Sequence, residues 1–251
     1  MKTKVKKVGL LSVVLFCVCV IAGQSFGDVI YSDSFEGYTV GAKTPAPWDG
    51  WYTSNNFVSN AAAKTGTQCV SLQPGGSIGR DADKGAIVDG KGTVTLSFKD
   101  NGWGSPGFMM YISDMDVWGG NSATYTRVYV GYWGGITAYS NDNPNAGISL
   151  CSGSLIQNQN WNILSVSYDL TAGTYDVVCN GVLIGDGLAL YNTPSPTSTA
   201  TILRTRIDDW NGANDNIHTY IDDWSLTTIP EPTTICLLGL GLMIIRKSRN
   251  S

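Results

Sequence analysis

Residues 174–184 constrain the fold more than any other stretch of this chain. They read Thr-Tyr-Asp-Val-Val-Cys, then Asn180-Gly181, then Val-Leu-Ile. Tyr175, Val177 and Cys179 share one side of an extended chain, and the β-branched valines crowd a helix. An Asn-Gly pair accepts the positive φ values of a type I′ turn at little cost. A two-residue β-hairpin satisfies all three conditions. The same pattern recurs. Residues 29–35 alternate, 68–72 and 93–99 put Val70/Leu72 and Val94/Leu96/Phe98 on single faces, and 107–112 is a short apolar run. Residues 125–132 alternate Tyr/Arg/Tyr with Thr/Val/Val, turn at Gly134-Gly135 and return through 136–139. Stretches 161–168, 202–210 and 219–226 complete the set. No window between the two ends sustains a helical period. The expected class is all-β, with strands at the spacing of a sandwich.

The ends differ. Lys2, Lys4, Lys6 and Lys7 precede an apolar run from Val8 to Ala22, followed by small residues at Gly23, Ser25 and Gly27. This reads as a secretory signal helix, residues 1–27. At the other end, Ile229-Pro230-Glu231-Pro232 leads into an apolar, glycine-interrupted segment (233–245) and then the basic residues Arg246, Lys247 and Arg249 within the tail 246–251. The prolines keep helix from starting earlier. The segment is too short for a permanent span of a roughly 30 Å hydrocarbon core, but it suffices as a transient sorting helix that contacts the membrane before processing.

Between them, residues 28–228 are long enough for one domain with a real core. Residues 1–27 hold four of the sixteen basic residues and no acidic one; 229–251 hold three basic residues and Glu231. The central domain therefore keeps nine basic and nineteen acidic residues, a formal charge of −10. Such a surface repels phosphate backbones, which argues against nucleic acid as a partner.

The Pro-Glu-Pro tripeptide at Pro230, Glu231 and Pro232, the apolar run with Gly239 and Gly241, and the basic end together resemble the PEP-CTERM sorting signal of Gram-negative and related bacteria. The resemblance implies recognition by an exosortase, a membrane-embedded protease or transpeptidase, and a genome that usually also makes exopolysaccharide. It places the protein at the cell envelope, outer surface or extracellular matrix.

A second resemblance is spread over the central domain. Residues 33–38 (Asp-Ser-Phe-Glu-Gly-Tyr), Trp161-Asn162, residues 168–175 and 221–226 are similar to segments of concanavalin A-like (LamG-like) jelly rolls. This implies a jelly-roll β-sandwich over residues 28–228.

Catalysis finds little support. Glycosidases need paired carboxylates, and Glu36 is the only glutamate between residues 28 and 228. Asp208/Asp209 and Asp222/Asp223 are adjacent on strands, so their side chains are expected on opposite faces. His218 is the only histidine, and there is no nucleophile elbow. The expectation is a non-enzyme.

The motif Ile-Asp-Asp-Trp occurs at 207–210 and again at 221–224, joined by Asn- and Asp-rich residues. A hairpin there would gather carboxylates and carbonyls, the ligands Ca²⁺ prefers. Asp208, Asp209, Asp215, Asp222 and Asp223 are the candidate calcium ligands. The plain alternative is that they face water, cap loops, or pair with Arg204, Arg206 or backbone N–H groups.

Of eight tryptophans, Trp103, Trp118, Trp133 and Trp210 sit beside Gly or Asn in expected loops and are the candidate sugar-stacking residues. Trp48, Trp51, Trp161 and Trp224 read as packing residues. Export permits a disulfide, and Cys151 with Cys179 is the pairing suggested by nearness in sequence, leaving Cys69 over. Two functions follow: a non-catalytic carbohydrate-binding module with exopolysaccharide as partner, or a structural biofilm-matrix protein without a small ligand. A glycan-active enzyme is a distant third.

Overall fold

The structure is a computed structural model that describes residues 27–41, 51–83, 87, 90–100, 107–114, 124–131, 135–139, 147–151, 155–157, 159–191, 202–209 and 219–229. The expected signal helix and C-terminal hydrophobic helix lie outside them, and among the described residues no helix is long and apolar enough to cross a membrane.

The described residues form thirteen strands: β1 (Val29–Asp33), β2 (Trp51–Ser59), β3 (Cys69–Asp83), β4 (Lys91–Asp100), β5 (Phe108–Asp114), β6 (Thr124–Val130), β7 (Ile136–Tyr139), β8 (Ile148–Cys151), β9 (Asn162–Asp169), β10 (Thr174–Cys179), β11 (Val182–Ala189), β12 (Ile202–Asp209) and β13 (Thr219–Thr228). The hairpin that opened the sequence reading is β10–β11, and Asn180 and Gly181 hold φ values of 49° and 78°. Residues 29–228 form one compact unit.

The strands pair in the order β11-β10-β9-β4-β13-β3-β12-β5-β6-β7-β8, with β1 on β13 and β2 on β3. Strand β3 joins two layers. Its Val70–Leu72 part pairs with β13 and its Ser77–Asp83 part with β12. Pro74, Gly75 and Gly76 lie between, Gly75 at a φ of 71° that glycine tolerates without steric cost. One apolar core fills the space between the layers. Val94, Leu96, Leu164, Val166 and Val177 come from the first layer; Ile78, Ile207, Met110, Ile112, Val128 and Ala138 come from the second. Each such side chain, buried with its strand neighbours, contributes about 1.5–3 kcal/mol relative to exposure. At the far edge β8 touches β11, and a Cβ on Gly185 would meet the Leu150 side chain at 3.2 Å. The all-β jelly-roll-type sandwich expected from the sequence is what forms.

The expected hairpin between the two Ile-Asp-Asp-Trp motifs is absent. β12 and β13 are separated by β3, which pairs with both. Both leave one pole of the domain, because only four residues separate Leu72, opposite Thr219, from Ser77, opposite Asp208, across the β3 bend.

Candidate functional site

The second layer buries one face in the core and turns the other away from it. On that other face the register places Arg206 (β12) opposite Tyr111 (β5), Tyr111 opposite Arg127 (β6), and Arg127 opposite Tyr139 (β7). A parallel row runs Asp208, Met109, Tyr129, Thr137. All eight are polar or aromatic except Met109, and the row of arginines and tyrosines is half-buried. The alternation of the strands creates this face: Ile207, Met110, Val128 and Ala138 point inward, so their neighbours point out.

The rows are tied together. The Arg127 guanidinium lies 4.6 Å from the Tyr139 ring centroid and 5.7 Å from that of Tyr191, and it donates to the Tyr111 hydroxyl. Arg206 pairs through Nε with Asp208, and Arg204 pairs with Asp81 through Nε and, at 2.7 Å, through a second nitrogen. The Tyr129 ring fits only because its neighbours lack side chains. A Cβ would come within 2.7 Å of it at Gly107 and 2.8 Å at Gly131.

A cleft of about 320 Å³ opens where this face meets the β3 bend, lined by Gly75, Gly76, Ser77, Tyr111, Arg206, Asp208 and Asp209. Burial pushes the Asp208 carboxyl above the usual range, against the pull of Arg206. Burial also raises the Tyr111 hydroxyl, with the Asp208 charge adding to it. Asp209, the next residue of β12, is buried and lines the cleft beside Asp208. The cleft thus offers hydroxyl, guanidinium and carboxylate groups beside aromatic surface. Its two carboxylates, Asp208 and Asp209, are adjacent on β12, and Asp208 is held by Arg206.

The candidate calcium ligands are dispersed. Asp208 is held by Arg206. Asp222 is fully buried and accepts from the backbone N–H of Lys64 (2.8 Å), Thr65 (3.2 Å) and Asp223 (2.8 Å). Asp223 takes the Thr65 hydroxyl at 2.5 Å and Lys64 Nζ at 3.3 Å. Asp222 and Asp223 serve the same segment rather than opposite faces, because Asp223 lies at a register shift in β13 with a φ of 47°. Asp215 lies outside the described residues, and no group of three or more metal-type side chains occurs among those described. Glu36 is a second brace on this segment: its carboxylate accepts from the N–H groups of Thr67 (2.8 Å) and Gln68 (2.7 Å), which lower its pKa.

Trp103, Trp118, Trp133 and Trp210 lie outside the described residues, as do Pro230, Glu231, Pro232, Arg246, Lys247 and Arg249. The strand ends nonetheless sort the tryptophans by point of attachment. Asp209, Phe108, Val130 and Ile136 lie side by side. Segments carrying Trp210, Trp103 and Trp133 therefore join at the cleft end, whereas the segment carrying Trp118 joins β5 to β6 at the other. Trp224 is fully buried and Trp161 donates its Nε1–H to the Ala63 carbonyl at 3.1 Å, both packing roles as expected. The bond expected between Cys151 and Cys179 is not formed in the structure. Both are free thiols, on β8 and β10 of opposite layers, as is Cys69.

Sequence reasoning did not single out Tyr111, Arg127, Tyr139 or Arg206. The signal was present in the alternation of Arg127 and Tyr129 with Val128 and Val130, which marks a strand whose outward face is aromatic and cationic; Tyr125, one step earlier in the same pattern, instead turns into the core at a register shift.

The family model for the PEP-CTERM protein-sorting motif matches residues 228–249. The chain carries this motif at its C-terminal end, a signal for export to the cell envelope through an exosortase-type processing system. No curated protein matches the sequence. By structure, the carbohydrate esterase vb_24B_21 from the Shiga toxin-encoding bacteriophage phi24B is similar, at 15% identity and a TM-score of 0.56, over 81% of this chain and 100% of that one. The T. cruzi calreticulin globular domain aligns at 10% identity and a TM-score of 0.49 (84% and 92% of the chains). Cip1, a cellulose induced protein, aligns at 15% and 0.46 (79% and 97%). At such identities the esterase likeness speaks for the fold alone.

Proposed function

We propose that the chain is an exported surface protein whose β-sandwich binds glycan without chemically altering it, with exopolysaccharide as its partner. The observation that supports this is the Arg206–Tyr111–Arg127–Tyr139 row beside the cleft. Sugars present C–H-rich faces to aromatic rings and hydroxyls to charged or amide groups, and this face supplies both. Asp208 is paired with Arg206 and shares the cleft with the adjacent, buried Asp209 rather than with a carboxylate of a facing strand, so binding suits the site better than acid–base hydrolysis.

In this reading residues 1–27 direct secretion and are removed, and the tail holds the protein at the envelope until it is processed. The sorting motif begins at the Thr228 end of β13. At about 3.3 Å per residue the ten residues of β13 put that end roughly 30 Å from Thr219, at the cleft pole. The cleft and the strand end that leads into the sorting motif therefore lie at opposite ends of β13. Trp103, Trp118, Trp133 and Trp210 stay the candidate sugar-stacking residues of this reading.

The test is binding of the 28–228 domain to the host's exopolysaccharide, with and without Tyr111→Ala and Tyr139→Ala. Saturable binding that each substitution weakens at least tenfold supports the reading. A folded domain that binds no glycan refutes it and leaves a structural matrix role.

A further inference from the structure

Of the three described cysteines, two share a neighbourhood. Cys179 ends β10 with its side chain in the common core, and Cys151 ends β8 and packs against that same core. The strands converge where the two layers meet: Leu150 lies beside Gly185 of β11, and Gly185 is opposite Val177, two residues before Cys179 and on its face. Cys151 is also one of the groups that raise the Cys179 thiol, second to burial, which places it near that sulfur. Cys69 sits apart on β3. It is fully buried, donates to the Ser59 carbonyl at 3.6 Å, and has Asp222, Lys99 and Glu36 for charged neighbours.

We propose that Cys151 and Cys179 oxidise to a disulfide in the exported protein, closing the edge of the sandwich between β8 and β10, and that Cys69 remains a thiol. Oxidation proceeds by thiol–disulfide exchange with a disulfide-bearing oxidant of the export compartment. Cys151, the less buried thiol, attacks first, forming a mixed disulfide and releasing one oxidant thiol. Cys179 then loses its proton as it displaces the second, and the oxidant's disulfide is reduced to two thiols. The order follows from burial, which pushes the Cys179 thiol up to about 12 and makes it a poor first nucleophile. The same burial holds Cys69 at about 12 without a partner sulfur, so the odd cysteine is inert rather than reactive. The bond restricts the unfolded chain between residues 151 and 179, and its expected effect is a Tm about 5–10 °C higher in the oxidised protein.

The test is peptide mapping without reduction of the full chain recovered after export, with alkylation before and after denaturation. The expected result is one linked pair of peptides holding Cys151 and Cys179, with Cys69 alkylated only after denaturation. Reductant should lower Tm by the stated amount. Cys69→Ser should keep the linked pair, and Cys151→Ser should abolish it. Unlinked Cys151 and Cys179 peptides, a bond that includes Cys69, or a Tm insensitive to reductant overturns the proposal. The mapping of the unsubstituted chain decides even if a cysteine variant fails to fold.

Discussion

Arg127 is the residue on which the proposed face turns, and its contribution can be isolated. Its guanidinium lies 4.6 Å from the Tyr139 ring and 5.7 Å from the Tyr191 ring, and it donates to Tyr111. A cation–π contact is worth about 0.5–1 kcal/mol at an exposed site and about 2 when desolvated, so the half-buried Arg127–Tyr139 pair should couple by about 1 kcal/mol. Adding the Tyr111 hydrogen bond and the more distant ring, Arg127→Ala should destabilise the domain by about 2–3 kcal/mol. The assay is guanidinium unfolding of the 28–228 domain carrying Arg127→Ala, Tyr139→Leu and both together. Unchanged m-values would show that the stability of the native state, and not the denatured chain, had shifted. Arg127→Lys keeps the charge but not the planar stack and should fall between wild type and alanine. A coupling within about 0.3 kcal/mol of zero would mean the two side chains act independently, and the ordered cationic–aromatic row would be refuted.

Gly66 has a φ of +62°, and a Cβ there would lie 2.4 Å from the Glu36 carboxyl carbon. Gly66→Ala should therefore cost about 1–3 kcal/mol in thermal or chemical unfolding, and wild-type stability in that variant would disprove the brace. The Glu36 pKa is lowered in the folded state, chiefly by the Thr67 and Gln68 N–H groups. Its stabilising effect is then present above the ordinary glutamate value and lost as pH falls through the depressed one, so Glu36→Gln should flatten the acid limb of the stability–pH curve. A Glu36→Gln variant with an unaltered acid limb contradicts this. Asp208, Asp222 and Asp223 already bind Arg206, backbone N–H groups and Lys64. Millimolar calcium should leave Tm unchanged, and a saturable rise abolished by Asp222→Asn would show that a site forms there.

The strands were legible wherever one face is buried and the other solvated, because alternation is then enforced residue by residue. The β10–β11 hairpin, β4, β6 and β9 are of this kind. β2 and β8 were not visible: β2 reads Trp-Tyr-Thr-Ser-Asn-Asn-Phe-Val-Ser and β8 has four residues at a layer edge, so neither imposes a clear period. The length of β3 was hidden by Gln73-Pro74-Gly75-Gly76, which looks like a terminating turn but bends one strand between two layers. The pairing of the two Ile-Asp-Asp-Trp motifs failed for a topological reason, since nothing local announces that β3 will lie between them. The site was half legible. The alternating tyrosines and arginine of β6 were in view, but their alignment with Arg206, Tyr111 and Tyr139 depends on long-range register that no local pattern encodes. The sorting motif was readable because its apolar and basic sequence is itself the signal.

The most direct test of the glycan-binding account is equilibrium binding of the 28–228 domain to the host's purified exopolysaccharide, followed by calorimetry or co-sedimentation. The account predicts saturable binding, weakened at least tenfold by Tyr111→Ala or Arg127→Ala and untouched by Thr93→Ala on the hydroxyl-lined outer face of the first layer, where Thr93 and Ser167 bond each other at 2.9 Å. Binding that survives the Tyr111 and Arg127 substitutions, or that vanishes with Thr93→Ala in a folded domain, would place the ligand elsewhere and contradict it.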